Sequence, residues 1–308
     1  MNTNIKTFIE ENTDLINSNR FEELYKNLSK WNKGELSDVL IKAEIDFLSF
    51  IEKIPNECFY GSTALTELII PKNIKQIGKY AFVNSSLTSV FIPDSVKKIG
   101  DSAFNSCNNL TSITLQDGVK HIGDDAFRDC IGLISITIPD SVTSIGDGAF
   151  SYCGNLTHID IGNGVTSIGA ETFALCNSLK KITIGNNVTR IDWAAFSFCK
   201  HLTTVNMSNS MTSIGDNAFE YCERLTNITI PNGVKSIGNE AFFGCRSLKS
   251  ITIPNSLEII STSSFLNCRS LQDIKFNGTK KEWTMIKEAN QWDEDTSNYK
   301  VQCTDGVI

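Results

Sequence analysis

The sequence predicts an α/β repeat fold: a solenoid of 23-residue rungs with a helical cap before it and an irregular cap after it. Three observations predict it. Eight cysteines, Cys107, Cys130, Cys153, Cys176, Cys199, Cys222, Cys245 and Cys268, follow one another at intervals of 23 residues. One phrase recurs between them, Leu-x-x-Ile-x-Ile-Pro-x-x-Val-x-x-Ile-Gly-x-x-Ala-Phe-x-x-Cys, most fully over residues 133–155. The first and last stretches, residues 1–50 and 277–308, lack that phrase. A fixed period in the twenties marks units that cannot bury their apolar side chains alone and stack to share one core.

Each element of the rung follows from its residues. Ser135–Ile138 alternates polar and apolar side chains, so it reads as a strand with Ile136 and Ile138 turned inward. Pro139 has no N–H and ends the pairing, and Asp140 with Ser141 supplies turn chemistry. Val142 and Ile145 return to the core on a second short extended segment. Gly146 makes the next corner, and Asp147 is placed to cap a short helical turn. Ala149, Phe150 and Cys153 have the spacing of one helical face. Full repeats start at Leu65, Leu87, Leu110, Leu133, Leu156, Leu179, Leu202, Leu225 and Leu248; the first is one residue short and has Ser85 near the cysteine position.

Ahead of the rungs, residues 1–50 show three helical faces, built on Phe8 and Ile9, on Phe21 and Leu24, and on Val39 and Leu40. They read as a cap over the first rung or as a docking module. The last strand, begun by Ile274 and Phe276, gives way to a segment in which Trp283, Ile286 and Trp292 would cover the open core, with Val301 and Cys303 on a closing strand.

A twenties-length period opening on Leu-x-x-Ile-x-Ile is the signature of a leucine-rich repeat solenoid. More narrowly, the words Ile-Pro-x-x-Val-x-x-Ile-Gly-x-x-Ala-Phe-x-x-Cys resemble BspA-type leucine-rich repeats, which occur in gut bacteria, their phages and some protists. The ending Asn277-Gly-Thr…Glu282-Trp283…Cys303-Thr-Asp-Gly306 resembles the terminal cap of that family, and the leader around Phe8, Glu10, Phe21 and Tyr25 resembles helical leaders on some members. The resemblance implies binding: adhesion to host proteins in surface members, partner recognition in others.

Composition narrows the classes. The net charge is −7 and the pI about 5.1, which argues against a general binder of nucleic acid or anionic membranes. The N-terminal stretch has acids early and no continuous apolar run, and no later stretch could span a membrane. The expected location is therefore the cytoplasm, with an extracellular surface as the alternative. Eight of the ten cysteines share one register beside a phenylalanine, a core position, so the expectation is a ladder of buried free thiols. In-register neighbours stand parallel, whereas a disulfide needs closer Cβ atoms on converging vectors.

No constellation for chemistry emerges. His121, His158 and His201 occupy different repeat positions, and none has a second ligand at metal spacing. Asp101, Asp124 and Asp125 recur at one place and read as caps. The expectation is no enzyme activity, no cofactor and no metal. Lys75, Lys97, Lys98, Lys120 and His121 line a row that reads as a solvated charge lattice.

Binding information must sit where the repeat permits variation. The outward strand positions are mostly Ser and Thr; the departures His158, Asp160, Lys181 and Asn206 gather in three adjacent rungs. A second row, just before the cysteine, holds Tyr152, Leu175, Phe198 and Tyr221, where other rungs have Ser106, Asp129 and Gly244. Trp193 replaces the usual Asp or Asn in the same rungs. Two readings of the aromatic row stand: a partner-binding stripe, or rings that pack against one another. The function expected is a protein–protein interaction scaffold, such as a phage or bacterial inhibitor that occupies a partner protein; the alternative is a surface adhesin for host proteins.

Overall fold

The computed structural model describes residues 48, 52–288, 292, 296 and 298–308. The helical leader expected over residues 1–50 lies outside the described residues, apart from Leu48, which is buried.

Each rung has three walls. One carries the longer strands, which begin at Glu67–Ile69 and Ser89–Ile92 and continue through Ser135–Ile138, His158–Ile161 and Lys181–Thr183 to Asp273–Phe276. A second carries two-residue strands, from Lys53–Ile54 to Ile259–Ile260. All rung strands pair in parallel, each residue with the one in the same place of the next rung: Ser135 with His158, His158 with Lys181, Ser213 with Ser236. The hydrogen-bonded long wall divides into sheets of three, four and five strands, and the short wall into two of five. In the first full rung the step is 22, Gln76 pairing with Lys98. The missing residue falls at the corner between Ser85 and Leu87, where Ser86 N–H bonds Ser62 C=O at 2.8 Å, so both strands keep their inward faces.

The third wall corrects the sequence reading. The turn around Ala149, Phe150 and Cys153 is not a helix, and no rung contains one; the one helix among the described residues is Lys280–Glu288, after the rungs. The rungs therefore form a β-solenoid. The second residue before each stacked phenylalanine and the second after it have positive φ, as at Ser102 (52°) and Ser106 (57°), or Ala194 (52°) and Phe198 (60°). Those reversals turn alternate N–H groups out of the rung. Ser102, Phe104 and Ser106 donate to Asp124, Ala126 and Arg128 of the next rung, while Cys107 N–H stays inside and bonds Phe104 C=O. A helix would satisfy only its own segment; this ladder ties each rung to its neighbour. The acids act the same way. Asp147 does not cap its own turn: its Oδ1 accepts Ala170 N–H of the next rung at 2.8 Å, as Asp124 Oδ1 accepts Asp147 N–H at 3.1 Å.

The core sits between the walls as parallel columns. Ten phenylalanines, from Phe59 to Phe265, stack with centroids 4.8–5.6 Å apart and rings within 12° of parallel. Beside them runs the thiol column. All ten cysteines are free and buried. Each of the eight in register donates its S–H to the phenylalanine carbonyl of the preceding rung, as Cys130 does to Phe104 at 3.1 Å and Cys176 to Phe150 at 3.2 Å. Buried Ser62 and Ser85 continue the column toward the N-terminus, and Ser85 Oγ lies 3.3 Å from Cys107 Sγ.

The described residues of the C-terminal cap include one helix and two short strands. Trp283, Ile286 and Trp292 are buried as expected. Trp292 meets the last phenylalanine, Phe265, edge-on at 5.6 Å and accepts its N–H, so it supplies the ladder bond a further rung would give. Lys300–Cys303 adds a parallel strand to Asp273–Phe276, and Gly306–Val307 folds back antiparallel to seal the edge. Thr279 and Glu282 form a reciprocal capping box at the start of the helix: Glu282 Oε2 accepts Thr279 N–H at 2.7 Å and Thr279 Oγ1 accepts Glu282 N–H at 3.3 Å. Among the described residues no helix is long and apolar enough to cross a membrane.

Candidate interaction surface

The long-strand wall presents His158, Asp160, Lys181 and Asn206 to solvent. Pairing puts His158 directly beside Lys181, whereas Thr183 separates Asp160 from Asn206. His158 Nδ1 lies 3.0 Å from Thr157 Oγ1, and no ion pair among the described residues joins Asp160 to Lys181. In the central rungs this face is mostly Ser and Thr apart from these four residues, while nearer the N-terminus the exposed Ile69 and Phe91 stand side by side on it.

The turn wall differs. Tyr152, Leu175, Phe198 and Tyr221 occupy the second positive-φ position of four consecutive rungs, with φ between 52° and 62°. Such backbone suits glycine or asparagine, and a bulky side chain there costs on the order of 1 kcal/mol. Other rungs use Asn84, Asn267 and Gly244 at the same place. The large side chains are therefore held against local backbone preference.

The row divides into two parts. Phe198 stacks on Tyr221 at 4.7 Å, and Tyr221 meets Phe243 edge-on at 5.2 Å. Gly244 makes room: a Cβ there would fall 2.8 Å from the Tyr221 ring. Tyr152 stands apart, 42 % exposed, with the Arg128 guanidinium 4.7 Å above its ring. That guanidinium also reaches Asp125 at 3.3 Å and Glu171 at 4.0 Å. Part of the row thus packs ring on ring, while Tyr152 stays open to solvent.

Trp193 is the most exposed aromatic residue in these rungs, at 51 %. It stands in the column where Asp124, Asp147 and Asp216 each accept an N–H from the next rung. Trp193 has no side-chain oxygen to do so, so this rung forgoes a tie and presents an indole. Phe243 and Arg128 belong to the surface as well, and the sequence analysis missed both. Their signal was a large or charged residue immediately after a core phenylalanine, where neighbouring rungs have the buried Ser151, Ala174 and Ser197.

Among the described residues no group of three or more His, Cys, Asp or Glu side chains could hold a metal ion. The ladder thiols are far from nucleophilic: burial pushes Cys153 and Cys199 up to about 12 and Cys107 to about 11.

Stacked parallel strands, a repeat of 23 residues and an inward Leu, Ile and Phe in every rung define a leucine-rich repeat solenoid. The chain belongs to the BspA-type leucine-rich repeat family: the model described as "BspA type Leucine rich repeat region (6 copies)" matches residues 2–111, 38–156, 97–226 and 212–288. Among solved structures it is similar to a leucine-rich repeat protein from Bacteroides ovatus, at 26 % identity over 82 % of this chain and 76 % of the other, with a TM-score of 0.49. A leucine-rich cell surface protein from Faecalibacterium prausnitzii is 28 % identical over 77 % of this chain and 79 % of its own, with a TM-score of 0.45. The pneumococcal vaccine antigen PcpA is 21 % identical over 81 % and 77 %, with a TM-score of 0.48. No curated protein matches the chain.

Proposed function

We propose that this protein is a non-enzymatic scaffold that binds another protein through the turn wall of its central rungs. One observation carries the reading: large apolar side chains at Tyr152, Leu175, Phe198 and Tyr221 occupy backbone that favours Gly or Asn, beside an exposed Trp193 that replaces a rung-to-rung tie. Stability alone would select the opposite at these positions. Protein interfaces favour aromatic side chains at their centres, and a few residues carry most of the energy. The ten free thiols favour a reducing compartment, where occupying an intracellular partner suits the chain better than adhesion at a cell surface.

The experiment compares two variants against a partner captured from the source organism's lysate. Phe198→Ala is expected to weaken binding by about 2 kcal/mol, the size of a hot spot. Its melting temperature should change little, because the same place is Gly244 in a later rung. The pair Asp160→Ala with Lys181→Ala should bind as the wild type does. Loss of affinity in the strand pair alone, with salt dependence, would move the surface to the long-strand wall.

A further inference from the structure

The charge on the turn wall points to what lies against it. The six-residue segments 101–106, 124–129, 147–152, 170–175, 193–198, 216–221 and 239–244 make up that wall through seven rungs. They contain nine carboxylates and one cation, Arg128, a net charge of −8 against −7 for the whole chain. The cations Lys200, Arg224 and Arg246 stand past the cysteine, at the following corner. The segment with Trp193 and Phe198 has no charge of its own and lies between Glu171 in the rung before and Asp216 and Glu220 in the rung after. Aromatic faces in an acidic field attract cations twice over, through the ring quadrupole and through the carboxylates.

Arg128 shows the arrangement within the chain. Its guanidinium lies 4.7 Å over the Tyr152 ring and reaches Asp125 at 3.3 Å and Glu171 at 4.0 Å. Later rungs repeat the ring and the carboxylate without supplying the cation: Phe198 and Tyr221 stack beside Glu220, whose Oε2 is held by Ser197 Oγ at 3.0 Å. Glu240 is fixed likewise by Asn217 Nδ2 at 3.2 Å. Both carboxylates are oriented by neutral donors.

We propose that the turn wall takes a basic protein segment, whose arginine or lysine side chains lie over the Trp193, Phe198 and Tyr221 rings and between the carboxylates of Glu171, Glu220 and Glu240. This rests on the turn wall being the interaction surface, and it adds the chemistry of the partner.

The probe is a fluorescein-labelled peptide of alternating arginine and glycine, titrated with the full chain and read by anisotropy. Three variants of wild-type melting temperature decide it. Phe198→Leu with Tyr221→Leu keeps apolar bulk and removes the rings. Glu171→Gln, Glu220→Gln and Glu240→Gln together keep shape and remove charge. Glu67→Gln, Asp160→Asn and Asp273→Asn remove the same charge from the long-strand wall. The first two are expected to weaken the peptide by about tenfold each, and the third by less than about twofold. No binding by the wild type, or equal losses in the two carboxamide triples, would overturn the proposal. If the peptide fails while Phe198→Ala still releases a captured natural partner, the basic-segment proposal falls and the interaction surface stands. If neither depends on Phe198, both fall.

Discussion

Close packing along the solenoid axis gives single atoms large effects. A Cβ built on Gly123 would sit 2.6 Å from Asp101 N of the preceding rung, so Gly123→Ala should destabilise the chain by about 1–3 kcal/mol through overpacking, read from the urea midpoint. An unchanged midpoint would show that the rungs are looser than described. The thiol column makes a second prediction. Burial raises the cysteines, Cys153 to about 12, whereas an unfolded thiol titrates near 8.5. The unfolded chain therefore loses its thiol protons first. The contribution is whole below about pH 8.5 and is lost as pH rises toward about 12, at roughly 1.4 kcal/mol per pH unit for each buried thiol. Stability should fall steeply between pH 9 and 10, and alkylation without reductant should label few cysteines natively and all after denaturation. A flat pH profile, or four or more disulfides, would contradict the ladder. The burial of these thiols was legible from their single register. Their S–H bonds to the phenylalanine carbonyls were not, because a side-chain donor leaves no mark on periodicity.

At the scale of the element, legibility followed the strength of the local pattern. Alternation in Ser135–Ile138 marked a strand, and the one-residue deletion before Leu87 was visible as a shortened period. The turn wall was misread because Ala149, Phe150 and Cys153 share helical spacing, while the backbone there reverses at Gly148 and Tyr152 to bond the next rung. Side-chain spacing reports which residues face inward and says nothing about where alternate N–H groups go. The capping box of Thr279 and Glu282 was legible, as Thr-x-x-Glu ahead of Trp283 and Ile286, and was overlooked. Glu282 is held below its usual range by the two Thr279 hydrogen bonds, so this tie is present above that range and lost as pH falls through the lowered value. The cap itself is testable. Trp283 is buried between Phe276, at 5.2 Å, and Trp292, at 5.7 Å. Trp283→Ala should cost about 3–5 kcal/mol and expose the end of the stack, which light scattering would report as self-association. A monomer with an unchanged melt would refute the role of the cap.

At the scale of the molecule, columns of like residues run from end to end, so each rung is stable only among its neighbours. The same regularity exposes departures. Trp193 in a column that is mostly Asx, and Tyr152, Phe198 and Tyr221 in a column of Gly, Asn, Asp and Ser, were visible in the sequence as broken repetition. What the sequence did not reveal is that those residues stand on left-handed backbone, with Arg128 over the Tyr152 ring and Phe243 against Tyr221. The most direct test of the turn wall as the binding surface is hydroxyl-radical footprinting of the chain alone and with its captured partner. Aromatic side chains react readily, so the readout falls on the residues at issue. The account predicts that oxidation of Trp193, Phe198 and Tyr221 drops several-fold in the complex while His158 on the long-strand wall is unchanged. Protection of His158 with Trp193 and Phe198 still fully reactive would contradict it.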